Sequence, residues 1–185
     1  MFFGNIVNKT SRHKTFISYY HKDDQFYKNE FENRFGHIFI NKSVSNGEID
    51  TDLSTNYIKR LIQKEYITDT SVLVVLIGPN TRCRKHVDWE ISAALNKKVG
   101  GYSGLIGILL PEFPLTSEGK YYYEDIPPRL ADNIESGYAN IYTWDWVCAS
   151  ESRIKKAVDD AFQNRISKLE RINNSLKQFQ RNRCE

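Results

Sequence analysis

The sequence contains little of what marks disulfide-rich or membrane proteins. Cysteine is rare, and Cys83, Cys148 and Cys184 are odd in number and far apart. This spacing does not indicate a disulfide framework, so we expect three reduced thiols. The longest apolar run is far short of the roughly 20 residues that a membrane span needs, and the first residues lack the apolar centre of a signal peptide. These absences predict a soluble, cytoplasmic protein without a membrane partner.

The sequence also lacks a large excess of charge of one sign. The net charge is +3, and basic residues alternate with acidic ones instead of massing together. Nucleic acids select massed positive charge, so we expect no nucleic-acid partner. The motifs G-x-G-x-x-G and G-x-x-x-x-G-K-[ST] are missing, which argues against dinucleotide dehydrogenases and P-loop enzymes. Cys83 and His86 have the spacing of two zinc ligands, but a second pair is lacking nearby, so we expect no metal site.

Apolar patterns predict five strands that alternate with helices. Val72 to Ile77 is apolar without polar alternation, which is typical of a strand buried on both faces of a parallel sheet. Asp23 and Asp24 offer an N-cap for the first helix. The other predicted strands are residues 15–19, 37–40, 104–110 and 140–143, and the other helices are residues 54–66, the segment around residue 90, a short helix at Pro128 and one long helix over residues 151–180.

This alternation predicts a three-layer, flavodoxin-like α/β domain. Right-handed crossovers favour a parallel five-stranded sheet in the order 2-1-3-4-5 with helices on both faces. The winding direction of that sheet reverses between strands one and three. We therefore expect a crevice between Ser18 to Asp24 and Gly78 to Glu90, with the Glu90 carboxylate at its mouth. A solvated helix carboxylate is the alternative interpretation of Glu90.

Three segments resemble a known family: FISYYHKDD (16–24), VLVVLIGPNT (72–81) and RKHVDWEISAAL (84–95). They are similar to the TIR-like domains of bacterial Thoeris anti-phage systems. The resemblance covers residues 13–147, which leaves an N-terminal segment of residues 1–12 and a C-terminal helical extension of residues 148–185. Common TIR domains have a serine shortly before the tryptophan and a gap between tryptophan and glutamate, whereas Trp89 and Glu90 are adjacent here.

The resemblance implies an NAD+ glycohydrolase or ADP-ribosyl cyclase in which Glu90 is the essential catalytic residue. NAD+ is then the substrate, and no cofactor is expected. Nicotinamide leaves as a neutral molecule, so one carboxylate beside the developing cation suffices, unlike the paired carboxylates of glycosidases. The resemblance further implies that a cyclic ADP-ribose isomer activates a separate NAD-depleting effector and that the protein can self-associate. Ser43 to Asp52 corresponds to the loop that TIR domains use for assembly and gating.

The remaining predicted site residues have alternative structural roles. Ser18 and Asp24 either line the nicotinamide and ribose pocket or serve as turn and cap residues. Trp89 either packs the helix on the sheet or contacts the ligand, and Arg84 either binds a phosphate or is solvated. Aromatic rings at positions 16, 19 and 20 could stack on the substrate, and the histidine at position 86 could modulate the charge of Glu90. The predicted substrate-binding residues are Phe16, Ser18, Tyr19, Tyr20, Asp24, Arg84, His86 and Trp89.

Two rival functions share the predicted crevice. A non-catalytic TIR-like interaction or scaffold module would work through self-association and would keep its function when Glu90 is replaced by Gln. A nucleotide-binding sensor would retain intact NAD+ in stoichiometric amount. An enzyme should lose its function with the same substitution.

Overall fold

One parallel sheet organises the described chain. The computed structural model describes residues 12–43, 61–62, 67–98 and 100–184. In these residues the sheet has five strands in the order β2-β1-β3-β4-β5, and every neighbouring pair is parallel. The predicted fold class and strand order are confirmed. The strands are β1 (Lys14–Ser18), β2 (Ile40–Asn41), β3 (Val72–Ile77), β4 (Gly104–Leu109) and β5 (Asn140–Thr143).

Helices cover both faces of the sheet and make two cores. The alternation of side chains along each strand sends one set of residues to each face. Phe16 and Leu73 join the core beneath helices α2 and α3, while Ile17 and Val74 join the core beneath α1, α4 and α5. The helices are α1 (His21–Phe35), α2 (Lys85–Ala94), α3 (Pro128–Glu135), α4 (Trp144–Cys148) and α5 (Glu151–Ser167).

The centre of the sheet is apolar on both sides. All residues of β3 and β4 are buried, and the two strands pair over their full length, from Val72 opposite Gly104 to Ile77 opposite Leu109. Gly104 also allows α5 to approach the sheet, since a Cβ at this position would collide with the backbone carbonyl of Ala161. The C-terminal helix is thereby packed directly on β4.

Several predicted boundaries were wrong. Helix α1 begins at His21 with Tyr20 as the N-cap residue, so Asp23 and Asp24 lie inside the first turn and not at the cap. The Tyr20 carbonyl accepts the Asp24 N–H at 2.8 Å, so the first hydrogen-bonded turn of the helix contains both aspartates. Strand β2 begins at Ile40, three residues later than predicted.

The predictions for the remaining helices and for the assembly loop are confirmed, incomplete or outside the described residues. The short helix beginning at Pro128 is confirmed. Helix α4 was not predicted; the Thr143 hydroxyl caps it by accepting the Trp146 N–H. Most of the predicted helix over residues 54–66 lies outside the described residues, and so does nearly all of the predicted assembly loop, Ser43 to Asp52.

The last part of the chain departs from the predicted continuous helix. Helix α5 ends at Ser167, a short 3-10 turn follows at Leu169–Arg171, and the backbone then becomes irregular. Residues 173–184, here called the C-terminal strap, run back along α2 and pack against it. The helical spacing of Ile172, Leu176 and Phe179 was misleading: Phe179 is buried in the strap, whereas Leu176 is exposed. The proposed domain division at residue 147 stays a prediction.

The strap also overturns the expectation of three reduced thiols. Cys83 and Cys184 form a disulfide with a Cα–Cα distance of 5.5 Å, while Cys148 is free. The two bonded cysteines are 101 positions apart in sequence, so their spacing carried no sign of the pairing. Among the described residues, no helix is long and apolar enough to cross a membrane.

Candidate functional site

A buried pair of side chains marks the crevice between β1 and β3. Ser18 is the last residue of β1 and points to the α2 side, as Phe16 does two residues earlier. Its hydroxyl donates to Glu90 Oε2 at 2.5 Å. Ser18 is 1% exposed and Glu90 6%. The structure thus brings the predicted catalytic carboxylate to the carboxyl end of β1, where ligands bind in sheets of this kind.

Burial controls the charge of Glu90. Desolvation raises the pKa of its carboxyl group to about 8, and the hydrogen bond from Ser18 opposes this shift. Within the described part of the chain, Glu90 forms no ion pair that would compensate its charge. The Glu90 carboxyl group is therefore mostly protonated at neutral pH, and a cation placed beside it would favour the carboxylate.

The loop after β1 is aromatic, and the structure buries its Tyr19 in the core beneath α1. The guanidinium of Arg84 stacks over the Tyr20 ring at 3.9 Å and so links the loop after β1 to the turn before α2. The Tyr19 ring lies 4.2 Å from that of His21, and its hydroxyl donates to Gln25 at 2.7 Å. Burial and the nearby Glu90 raise the pKa of Tyr19 to about 12. His21 and Gln25 were not among the predicted residues.

Asp24 ties α1 to the end of β3. The Thr81 hydroxyl donates to its carboxylate at 2.9 Å and accepts the Gly78 N–H at 2.9 Å. Gly78 is needed for this approach because a Cβ there would collide with the Asp24 carboxylate. Asp24 is 3% exposed, and desolvation raises its pKa. In the structure Asp24 has this bracing role, and its predicted contact with substrate stays a prediction.

Three further predicted residues lie behind the crevice. Phe16 is 2% exposed and belongs to the core beneath α2, and Trp89 is 1% exposed in the same core. The Trp89 indole N–H donates to the carbonyl of Phe179 in the strap. The His86 ring lies 5.2 Å from that of Trp89, and desolvation followed by repulsion from Lys85 and His21 lowers the His86 pKa to about 4. His86 is therefore neutral near pH 7.

Helix α2 is buried on nearly every side. Its core face contains Val87 and Ile91, as the sequence predicts, but Asp88 and Ser92 on the other side are 3% and 4% exposed. The strap and α3 cover that second side. Sequence spacing does not reveal this cover, because the strap binds mainly through backbone and amide groups that leave no apolar pattern.

A separate cleft lies at the opposite edge of the sheet. It encloses about 260 Å³ and is lined by residues that include Lys14, Asp69 and Arg165. Lys14 and Asp69 form an ion pair across it, and none of the predicted site residues lines it. This cleft is thus separate from the predicted site residues.

The fold and the position of Glu90 together indicate the class of domain to which the chain belongs. A doubly wound parallel sheet with a helix carboxylate at its reversal point is the architecture expected of a TIR-like domain. The family model described as "Thoeris protein ThsB, TIR-like domain" matches residues 16–113. This match covers more than half of the chain, and the chain belongs to that family. No curated protein matches the chain closely enough to count as a relative.

The family assignment identifies a defence-related TIR-like module. The matched segment begins at Phe16 and includes both Ser18 and Glu90. It ends at Phe113, before α3, α5 and the strap. The site is thus within the family segment, while part of the cover of α2 is contributed from outside it.

Proposed function

We propose that this protein is a signalling enzyme that cleaves NAD+ at the nicotinamide–ribose bond and closes the remaining ADP-ribose into a cyclic isomer. The observation that supports this most is the buried Glu90 carboxyl group, oriented by Ser18 at the sheet's reversal point. The cyclic product would act in the cytoplasm as a messenger for a separate NAD-depleting effector. Family membership supports the defence context.

The reaction needs little from the protein besides one negative charge and exclusion of water. Cleavage of the bond between the ribose C1′ and the nicotinamide N1 returns the electron pair to the pyridinium, which leaves as neutral nicotinamide. A carboxylate beside C1′ stabilises the oxocarbenium ion that develops. A hydroxyl of the second ribose then forms the new bond to C1′ and gives its proton to Glu90 or to solvent. If water attacks instead, the product is linear ADP-ribose.

The raised pKa of Glu90 fits a cationic substrate. Burial favours the protonated form of the Glu90 carboxyl group. The positive nicotinamide ring of bound NAD+ would lower that pKa, because an opposite charge nearby favours the ionised form. Substrate binding itself would thus generate the carboxylate that the reaction requires.

The Tyr20 and Arg84 pair suits the rest of the substrate. Tyr20 offers a ring face for stacking, and Arg84 offers a guanidinium that can bind a phosphate in a bidentate manner. Both belong to the loops that flank Ser18 and Glu90. Their contact with NAD+ is part of the proposal.

Mass spectrometry of small molecules tests the proposal. Cells that express wild type, Glu90→Gln or the surface control Glu170→Gln are compared with and without phage infection. We expect nicotinamide and a species with the mass of cyclic ADP-ribose in infected wild-type and control cells, and neither product with Glu90→Gln. Glu170 is an exposed residue of the 3-10 turn beyond α5. Its substitution removes a carboxylate away from the candidate site and so shows whether the position of the lost carboxylate matters.

The alternative outcome identifies a scaffold. If the metabolite profiles of all three proteins are the same and phage protection survives Glu90→Gln, the enzyme proposal is wrong. Purified Glu90→Gln must in addition unfold as cooperatively as wild type, because only then does loss of product report chemistry.

A further inference from the structure

The C-terminal strap runs along the whole of α2 in the opposite direction. Near its beginning, the Asn174 side chain donates to the Ser92 carbonyl at 3.1 Å. At its end, the Asn182 side-chain oxygen accepts the Lys85 N–H at 3.1 Å, which caps the helix. The Arg183 N–H donates to the Cys83 carbonyl at 3.0 Å. The strap therefore contacts both ends of the helix that carries Glu90.

The middle of the strap is anchored next to Glu90 in sequence. Phe179 is 4% exposed, its N–H donates to Asp88 Oδ2 at 2.8 Å, and its carbonyl accepts the Trp89 indole N–H at 2.8 Å. Asp88 is itself bound to the buried guanidinium of Arg129 at 2.9 Å. The strap thus contacts the two residues that precede Glu90, on the side of α2 away from Ser18.

The disulfide closes this arrangement at the N-terminal end of α2. Cys83 is 2% exposed and belongs to the turn before the helix, whereas Cys184 is exposed at the end of the strap. The two cysteines differ in burial, so Cys184 is the one nearer to solvent and to external thiols. That difference favours reversible opening and closing from one side.

We infer that the strap positions α2, and with it Glu90, and that the Cys83–Cys184 pair is a redox clasp on the strap. With the disulfide formed, the strap holds α2 against the sheet in the geometry that joins Glu90 to Ser18. With the disulfide reduced, the end of the strap is held by hydrogen bonds and Phe179 alone and opens more often. The effect on catalysis rests on the proposed function, whereas the opening of the strap does not.

The redox step balances with a small disulfide such as glutathione disulfide as oxidant. The Cys184 thiolate attacks one sulfur of glutathione disulfide, which releases one glutathione thiolate and leaves a mixed disulfide on Cys184. The Cys83 thiolate then attacks the Cys184 sulfur and releases the second glutathione. Two protons and two electrons leave the protein, and two glutathione molecules form. The structure shows the closed clasp, and reduction of the disulfide by an excess of thiol would open it.

Hydrogen exchange of the full chain tests the clasp without reference to activity. Wild type, Cys184→Ser and the control Cys148→Ser are equilibrated with reduced or oxidised glutathione, and thiol alkylation followed by intact mass counts the free cysteines. We expect the amides of Phe179 and Arg183 in wild type and Cys148→Ser to exchange roughly tenfold faster after reduction. In Cys184→Ser the exchange should be fast under both conditions.

Two results would overturn the inference. One is that wild type keeps three free thiols in oxidised glutathione. The other is that a disulfide forms but leaves the exchange of the strap unchanged, which would mean that hydrogen bonds and Phe179 alone hold it.

A titration separates positioning from general stability. Nicotinamide release by wild type and Cys148→Ser should rise with the fraction of disulfide across a series of glutathione ratios, while release by Cys184→Ser should be independent of the ratio. If the disulfide controls hydrogen exchange of the strap but nicotinamide release does not change with the fraction of disulfide, that result would contradict the positioning role of the strap. Absence of nicotinamide release in every sample would contradict the proposed function and leave the exchange result valid.

Discussion

Asp88 and Glu90 are two buried carboxyl groups on one helix, and their surroundings differ in kind. Asp88 accepts the Arg129 Nε–H on one oxygen and the Phe179 N–H on the other, and its side chain is 4% exposed. Among the residues that the structure describes, Glu90 accepts one hydrogen bond, from Ser18. The first carboxylate is neutralised by a cation and a backbone amide, whereas the second depends on a single hydroxyl.

This difference separates a carboxylate with a structural role from one that suits the proposed reaction. A buried charge is stable in a protein when a partner charge and hydrogen bonds replace water, and Asp88 has both. Glu90 lacks a compensating cation in the described residues, so burial raises its pKa to about 8. A positive ligand would supply the missing charge. The comparison therefore predicts that substitutions of Asp88 act mainly on folding and those at the Glu90 site mainly on protonation and activity.

The largest effect is expected for Asp88→Asn. Loss of the charge leaves the Arg129 guanidinium, 1% exposed, without its counterion in the protein interior. We expect the free energy of unfolding, measured by urea denaturation, to fall by about 3–5 kcal/mol. As a control, Asp160→Asn breaks the exposed ion pair with Lys156 on α5 and should cost far less, because solvent screens that pair. Equal losses for the two variants would contradict the structural role of Asp88.

A comparable effect, spread over several pH units, is expected for the pH dependence of stability at Glu90. Because the folded-state pKa lies above the unfolded value, the stability that neutral Glu90 contributes is complete below about pH 4.5 and is lost as pH rises to about 8. Wild type should therefore lose up to about 1.4 kcal/mol per pH unit relative to Glu90→Gln within this interval. Urea denaturation of both proteins between pH 5 and about pH 8 measures the difference. Parallel stability curves would show that Glu90 titrates normally.

The smallest effect is expected for Ser18→Ala. The Ser18 hydrogen bond lowers the pKa of Glu90, so its loss should raise that pKa further. If the protein cleaves NAD+, kcat/KM should rise with pH, and this rise should move about one pH unit higher in Ser18→Ala. Ser71→Ala, which removes an exposed hydroxyl bound to the Lys14 carbonyl at the other edge of the sheet, should leave the profile unchanged. A profile that does not move would exclude Ser18 as a determinant of the Glu90 charge.

Local patterns were sufficient where burial follows sequence periodicity. The apolar runs of β3 and β4 predicted strands within a residue of their observed ends, and chain connectivity then predicted the strand order. The family motifs predicted that Ser18 and Glu90 lie close together, and their side chains are in contact in the structure. Boundaries failed where short-range hydrogen bonds decide them, as at Tyr20, which caps α1 ahead of the two aspartates.

Long-range contacts were hidden from the sequence. The Thr81 hydroxyl donates to Asp24, and Gly78 leaves room for the Asp24 carboxylate because it has no Cβ. Neither contact produces a periodic pattern in the sequence. The strap was misread as helix because its apolar residues happened to recur at helical spacing. In the structure its amides pair with α2 instead of continuing their own helix.

The sequence by itself determined the parallel sheet, its order and the presence of a carboxylate at the reversal point, because hydrophobic periodicity and chain connectivity are written in neighbouring residues. The tertiary structure alone decided that Glu90 is buried against Ser18, that Asp88 is paired with Arg129, and that Cys184 reaches Cys83. Each of these contacts joins residues dozens of positions apart. Their charges and bonds depend on which groups folding removes from water together, and that is a property of packing.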